Sequence, residues 1–143
     1  MADALDDVVT QITTLLGAMA GINQAPEHPP EGINDPPMVV TYYVNHVPHY
    51  SASYTHMISV VYADVLLARA ALPHVEEQAR AYVLLGLAAI AGSVTLSTTA
   101  SHCIVTEIQG PRMIPYQGIE YFGVRYILEV KLTYKQLAIS VAA

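Results

Sequence analysis

The chain has 143 residues, of which 53% are hydrophobic and only 13% are charged, about half the usual charged share of roughly 25%. This composition excludes an intrinsically disordered chain, and the length suits one domain with its own core. Six Lys and Arg against twelve Asp and Glu give a net charge of −6, which argues against nucleic-acid binding by phosphate neutralisation. The single cysteine, Cys103, excludes an intramolecular disulfide. So little charge predicts that partner subunits cover part of the surface.

Targeting and membrane signals are not expected. The N-terminal residues MADALDD are acidic, whereas a secretory signal begins with basic residues. Residues 81–106 lack Asp, Glu, Lys and Arg, but the first half continues an amphipathic pattern and the second half is rich in Ser and Thr. This pattern favours a helix followed by a turn and a strand over a membrane span. The sequence therefore predicts a soluble, intracellular protein.

An apolar stripe at helical spacing predicts a first helix over residues 4–19. Asp3 stands at the N-cap position, and Asp6 and Asp7 place negative charge in the first turn, where the helix dipole favours it. Residues 22–37 contain five prolines. Because proline fixes φ and disfavours helix in the residue before it, this segment is predicted to be an extended, semi-rigid arm.

Two strands are predicted after the arm. β-branched and aromatic residues at 38–47, bounded by prolines, indicate the first strand. Residues 49–53 are expected to form a polar aromatic loop, and residues 54–67 the second strand. Apolar side chains lie on both faces of the second strand, which is typical of an inner strand or of one whose outer face meets a neighbour.

A second helix is predicted to begin at Leu72-Pro73 and to end near Gly92, because proline suits the first helical position and glycine the end. Its main apolar stripe consists of Val75, Ala79, Tyr82, Val83, Leu87 and Ile90. Leu84 and Leu85 lie off this stripe and form a second apolar face. Such a face indicates either deeper burial or a second contact.

The last third of the chain is predicted to be β-structure. A strand over residues 103–109 is expected to end at Gly110-Pro111, with residues 111–119 forming a loop or a ragged hairpin tip. In the closing strand, apolar and mostly polar residues alternate over 122–135, so one face is expected in the core and the other mostly in water. The order of elements predicts a single α+β domain over 1–143, with a mainly antiparallel sheet, two helices packed on one face, and projecting loops or hairpins.

The sequence contains no recognisable catalytic motif. Its glycines form neither a dinucleotide fingerprint nor a phosphate-binding loop, and no serine lies in a nucleophile elbow. His46, His49 and His56 cluster around the first loop, but no carboxylate or thiolate is in evident register with them, so we interpret them as loop or interface residues. His102 and Cys103 are neighbours on a strand and point to opposite faces, so Cys103 is expected to be a buried hydrophobe. We therefore expect no enzyme activity, no cofactor and no metal site.

Tyrosine is the dominant aromatic residue, with ten Tyr against one Phe and no Trp. Tyr combines apolar area with a hydroxyl that tolerates water, which suits protein–protein contacts; a core and edge rich in Tyr is the alternative. The uncharged tail at 137–143 is expected either to extend the closing strand or to dock on a neighbour. The residues predicted to lie at interfaces are Tyr43, His46, His49, Tyr50, Tyr54, Arg112, Tyr116, Arg125, Lys131, Leu137 and Ile139.

Three segments carry a resemblance to a known family. They are a helix followed by Ala25-Pro26-Glu27 and Pro29-Pro30-Glu31, the Ala71-Leu72-Pro73 helix opening with Val75-Glu76 behind it, and the closing strand from Tyr121 to Leu132. In this order, they resemble the small tail terminator, or tail completion, proteins of long-tailed bacteriophages.

The resemblance implies a structural α+β subunit that forms a six-membered ring, caps the tail tube, ends its polymerisation and joins the tail to the head–tail connector. The implied partners are further copies of the chain, the tail tube protein and the connector or head-closure protein. DNA would pass through the ring without sequence-specific binding, and no membrane is involved. The implied location is the tail–neck junction of the virion, and the host cytoplasm during assembly.

Two alternatives to a tail terminator stay open at this point. One is another neck protein, such as a head-closure or connector component. The other is a small metal-dependent or ligand-binding α+β enzyme, which would need a pocket with convergent polar groups. The three histidines His46, His49 and His56 are the only sequence feature that could serve such an enzyme.

Overall fold

The computed structural model describes residues 4–26, 28–31, 36–51, 53–67, 72–93, 95–96 and 100–133. The elements are α1 (Ala4–Gly17), β1 (Met38–Ser51), β2 (Ser53–Leu67), α2 (Leu72–Ala91), β3 (His102–Tyr116) and β4 (Ile119–Thr133). The strands form one antiparallel sheet in the order β1-β2-β4-β3, and the helices pack against one face of it. The predicted α+β class is confirmed, and so is the inner position of β2, between β1 and β4.

The main core lies between the helices and the inner face of the sheet, which is the face turned towards them. α1 buries the stripe predicted from its sequence and contributes Val8, Ile12 and Leu16. β4 buries the alternate residues expected to face the core, which are Val124, Tyr126, Leu128, Val130 and Leu132. Full burial of each such side chain contributes roughly 1.5–3 kcal/mol of transfer free energy, so these two elements hold much of the core.

α2 turns Leu87 away from the core, contrary to the prediction. The buried α2 residues of the predicted stripe are Val75, Ala79, Tyr82 and Ile90. The helix lies close to the sheet at Gly86, where an added Cβ would lie only 2.2 Å from the ring of Tyr126. Since successive residues are about 100° apart around a helix, Leu87 points sideways and is 40% exposed.

The hairpin between β1 and β2 is longer than predicted. The residues expected to form a loop continue both strands, so that β1 reaches Ser51 and β2 begins at Ser53. Pro48 was expected to end the first strand, but it pairs with Met57 inside the ladder. β1 is an edge strand, where a residue without an N–H group is tolerated.

β3 continues through Gly110-Pro111, where the sequence predicted a break. The pairing with β4 shifts register between Gln109 and Arg112, so the two residues form an irregularity within the strand. Gly110 has a φ of 114°, which glycine adopts without steric cost, and an added Cβ would lie 2.8 Å from the carbonyl oxygen of Gly123. Because β3 is the other edge strand, the sheet accommodates a bulge there.

The outer face of the sheet, turned away from the helices, has a second small core at one end. Its buried residues are Met38, Val40, Leu66, Ile114 and Tyr121. The proline-rich segment reaches this cluster, because the hydroxyl of Tyr116 donates a hydrogen bond to the carbonyl of Pro30. Gln24 also pairs with Met38 in a parallel bridge. The described part of the predicted arm is therefore fixed to the sheet.

Candidate functional site

An ion pair between Asp64 and Arg125 lies next to the second core on the outer face. The two residues are directly opposite each other on β2 and β4. Arg125 Nε donates to Asp64 Oδ1 over 2.8 Å, and Nη2 donates to Oδ2 over 3.2 Å. Asp64 is only 2% exposed. A two-point pairing of this kind satisfies the charge of a buried carboxylate and fixes its geometry.

Two tyrosines enclose this ion pair. The Tyr42 hydroxyl donates to Asp64 Oδ2 and accepts a hydrogen bond from Arg125 Nη2, each over 3.2 Å. The Arg125 guanidinium carbon lies 4.7 Å from the centre of the Tyr62 ring, a cation–π contact. Burial, followed by the charge of Asp64, raises the pKa of Tyr42 to about 12. Tyr42 thus stays protonated at neutral pH, and the cluster ties β1, β2 and β4 together.

The ion pair corrects one expectation about β4. Its second face was predicted to be mostly wet, but the side chain of Arg125 is 16% exposed and bonded within the sheet. A structural role for Asp64 was not predicted, although the sequence indicates one. Asp64 is a single charge inside the apolar run 58–67, and a buried charge requires a partner.

Beyond the ion pair, the outer face carries a group of aliphatic side chains that we name the outer apolar patch. The register of the four strands places its members on one face, two of them on β2 and one on each of the other strands. They are Val47, Ile58, Val60, Ile104 and Ile127. Val47 and Ile104 are 46% and 41% exposed, and within the described part of the chain none of the five belongs to a buried cluster.

A second exposed apolar surface lies on α2, on the side turned away from the sheet. We name it the α2 stripe, and its members are Ala81, Leu84, Leu85, Leu87 and Ala88. Leu84 is 71% exposed, the most of the large hydrophobic residues that the structure describes. The predicted second apolar face of this helix is thus confirmed, and Leu87 belongs to it. The α2 stripe and the outer apolar patch lie on opposite sides of the molecule.

The three clustered histidines divide into a pair and a separate residue. His49 and His56 are directly opposite each other on β1 and β2, and their rings stack with centres 4.6 Å apart. His46 bonds instead to Ser59, with 2.8 Å between Nδ1 and Oγ. The pKa of His56 is lowered by partial desolvation and then by the nearby charge of Lys131. No three His, Cys, Asp or Glu side chains among the described residues are grouped so as to hold a metal ion.

Several of the predicted interface residues make contacts within the chain. Tyr43 is half-buried, and its hydroxyl donates to the backbone carbonyl of Leu5 over 2.7 Å, which holds α1 against β1. Tyr116 bonds to the proline-rich segment, as described above. Arg112 is exposed at the β3 bulge, and Lys131 is half-buried beside the outer apolar patch.

The other predicted interface residues lie outside the described part of the chain, either wholly or in their side chains. Tyr50 and Tyr54 lie on the strands of the β1–β2 hairpin, but their side chains fall outside the described part of the chain. Leu137 and Ile139, with the whole tail at 137–143, lie beyond the last described residue, Thr133. Their assignment to an interface stays a prediction.

His102 and Cys103 point to opposite faces of β3, as the alternation predicts. Cys103 is fully buried, and burial raises the pKa of its thiol to about 12. The thiol is therefore protonated at neutral pH and is a small hydrophobic residue of the core. His102 lies on the outer face with its Nε2 3.5 Å from Glu129 Oε2, too long for a strong hydrogen bond.

The sequence matches none of the protein-family models with which it was compared, and it has no significant similarity to a curated protein. None of the helices in the described residues is long and apolar enough to cross a membrane.

Proposed function

We propose that the chain is a structural subunit that assembles with copies of itself into a ring, in the manner of the tail terminator proteins that it resembles. In that role it caps a phage tail tube, ends its polymerisation and joins the tail to the head–tail connector. One observation carries the proposal: two different apolar surfaces lie on opposite sides of the subunit, the partly exposed outer apolar patch and the exposed α2 stripe.

The relation between these surfaces favours a ring over a dimer. A two-fold dimer brings the same patch of both subunits together, whereas a head-to-tail contact joins two different patches and closes into a ring when the rotation allows. A subunit with only 13% charged residues also gains solubility when such surfaces are covered. The hexameric state and the phage partners come from the resemblance.

The native mass of the purified chain tests the proposal directly. Native mass spectrometry and light scattering, over a range of protein and magnesium concentrations, should show a discrete species of six 15.5-kDa chains, about 93 kDa. Negative-stain images should show rings of that mass. A monomer or a two-fold dimer at every concentration contradicts the self-assembling ring.

Variants of the two surfaces separate assembly from folding. Leu84→Gln changes the most exposed large side chain of the α2 stripe, and Ile104→Gln changes a side chain of the outer apolar patch that is 41% exposed. Each should lower the ring population while leaving the thermal stability of the monomer within about 0.5 kcal/mol. Arg80→Gln is the matched control on α2, since its side chain is also exposed but is polar and pairs with Glu76 on the same helix. Assembly that is unchanged in both surface variants contradicts the use of these surfaces.

A further inference from the structure

The histidine pair has the placement that a two-ligand metal site requires. Residues directly opposite each other on antiparallel strands hold their Cβ atoms roughly 4.5–5.5 Å apart, with both side chains on one face. His49 and His56 occupy such positions, and their rings stack with centres 4.6 Å apart and planes 17° apart. The placement follows from the extension of β1 and β2 through the segment that the sequence predicts to be a loop.

We propose that His49 and His56 together bind one divalent transition-metal ion, such as Zn²⁺ or Ni²⁺, through one ring nitrogen each. Imidazole is a preferred ligand of both ions. At metal–nitrogen distances of about 2.0–2.1 Å, the two ligating nitrogens must lie roughly 3 Å apart. Rings that are already side by side reach this arrangement by rotation about their side-chain bonds, so the strands keep their register.

Water molecules would supply the remaining ligands of the metal ion. Among the described residues, no third His, Cys, Asp or Glu side chain joins the pair. The site is therefore open and weaker than a closed site with four protein ligands. A metal ion bound across β1 and β2 links the two strands at the end of their hairpin and stabilises the folded chain by mass action.

Lys131 contributes a positive charge near the site. It lies on β4 opposite Ile58, one position along the outer face from His56, which is opposite Thr133. Its ammonium group repels a bound dication. Replacing Lys131 with an uncharged residue should therefore tighten metal binding, whereas in a site elsewhere on the chain the change would have no effect.

Calorimetric titration of the full chain with ZnCl₂ or NiCl₂ at pH 7.5 tests the proposal. We expect one saturable site per chain and a rise in melting temperature with metal. His49→Gln and His56→Gln should each abolish both effects, and Lys131→Met should tighten binding. His46→Gln is the matched control, because His46 lies three residues from His49 on the same strand but bonds to Ser59, and it should bind like the wild type.

Three outcomes overturn the proposal. They are the absence of saturable binding, an equal loss of binding in His46→Gln, and retained binding in either variant of the pair. Circular dichroism of each metal-free variant shows whether it is folded, so a loss of binding is not confused with a loss of structure. The titration is independent of the proposed ring, because native mass measured in the same samples reports assembly separately.

Discussion

Replacing Arg125 with Met tests whether the buried ion pair stabilises the sheet. The substitution keeps much of the apolar length of the side chain but removes both hydrogen bonds to Asp64, at 2.8 and 3.2 Å. It also removes the cation over the Tyr62 ring. Asp64 then keeps a buried negative charge whose hydrogen bond from Tyr42 is 3.2 Å long. One neutral donor does not replace a guanidinium.

The expected loss of stability follows from the burial of the pair. Breaking a buried ion pair by removing one partner costs about 3–5 kcal/mol, because the remaining charge is uncompensated. The side chains of Arg125 and Asp64 are 16% and 4% exposed, so some water reaches the arginine and the lower end of this range applies. We expect a loss of about 3 kcal/mol, which lowers the melting temperature of a domain of this size by about 10 °C.

Chemical denaturation followed by circular dichroism, at one fixed protein concentration, measures this loss. Arg80→Met is the control for an exposed pair, whose loss should cost little stability, because its side chain is 64% exposed and solvent screens the pair. The double variant Asp64→Leu/Arg125→Met removes both charges and should recover much of the stability. A loss in Arg125→Met as small as that in Arg80→Met would refute the reasoning, as would a double variant less stable than the single one.

Three further predictions concern the core. Gly86→Ala should destabilise the protein by about 2 kcal/mol in the same denaturation assay, because the added Cβ would lie 2.2 Å from the buried ring of Tyr126. Gly92→Ala is the control and should be neutral, because no described neighbour of its Cβ is nearer than 3.5 Å. Cys103 should resist a thiol reagent at pH 8 in the native protein and react in denaturant, since burial raises its pKa to about 12; rapid native labelling would contradict its burial. Tyr43→Phe should cost about 1 kcal/mol through the lost bond to α1, and an unchanged midpoint of denaturation would show that this bond contributes nothing.

The elements that could be predicted from the sequence are those with an unbroken local pattern. In β4, strict alternation over 122–132 identified both the strand and the side chains that enter the core. The apolar stripe of α1 did the same for the first helix, although the helix ends at Gly17, two residues earlier than predicted. Each pattern reports burial on one side of one element, which is a local property.

The predictions of strand ends were wrong where the tolerance for proline or a bulge depends on a strand's position in the sheet. Pro48 and Gly110-Pro111 read locally as strand ends, yet both lie within strands at the edges of the sheet, where a missing N–H or a bulge is tolerated. Whether a strand lies at the edge or in the centre of the sheet depends on the strand order, which no single segment encodes. The stacked histidine pair has the same origin, because it exists only if the hairpin continues beyond Pro48.

The outer face shows most clearly what a local pattern leaves undecided. Arg125 and Lys131 lie on one strand, on one face, six residues apart, and the sequence treats them alike as candidate interface residues. Their partners on the neighbouring strand β2 differ, because Asp64 lies opposite Arg125 and Ile58 lies opposite Lys131. Register across the sheet therefore pairs one cation with a buried carboxylate and places the other beside an aliphatic side chain. Charge reversal at Arg125 would place two negative charges together and destabilise the sheet, whatever its role in assembly. Lys131 is therefore the position at which charge reversal reports on subunit contacts.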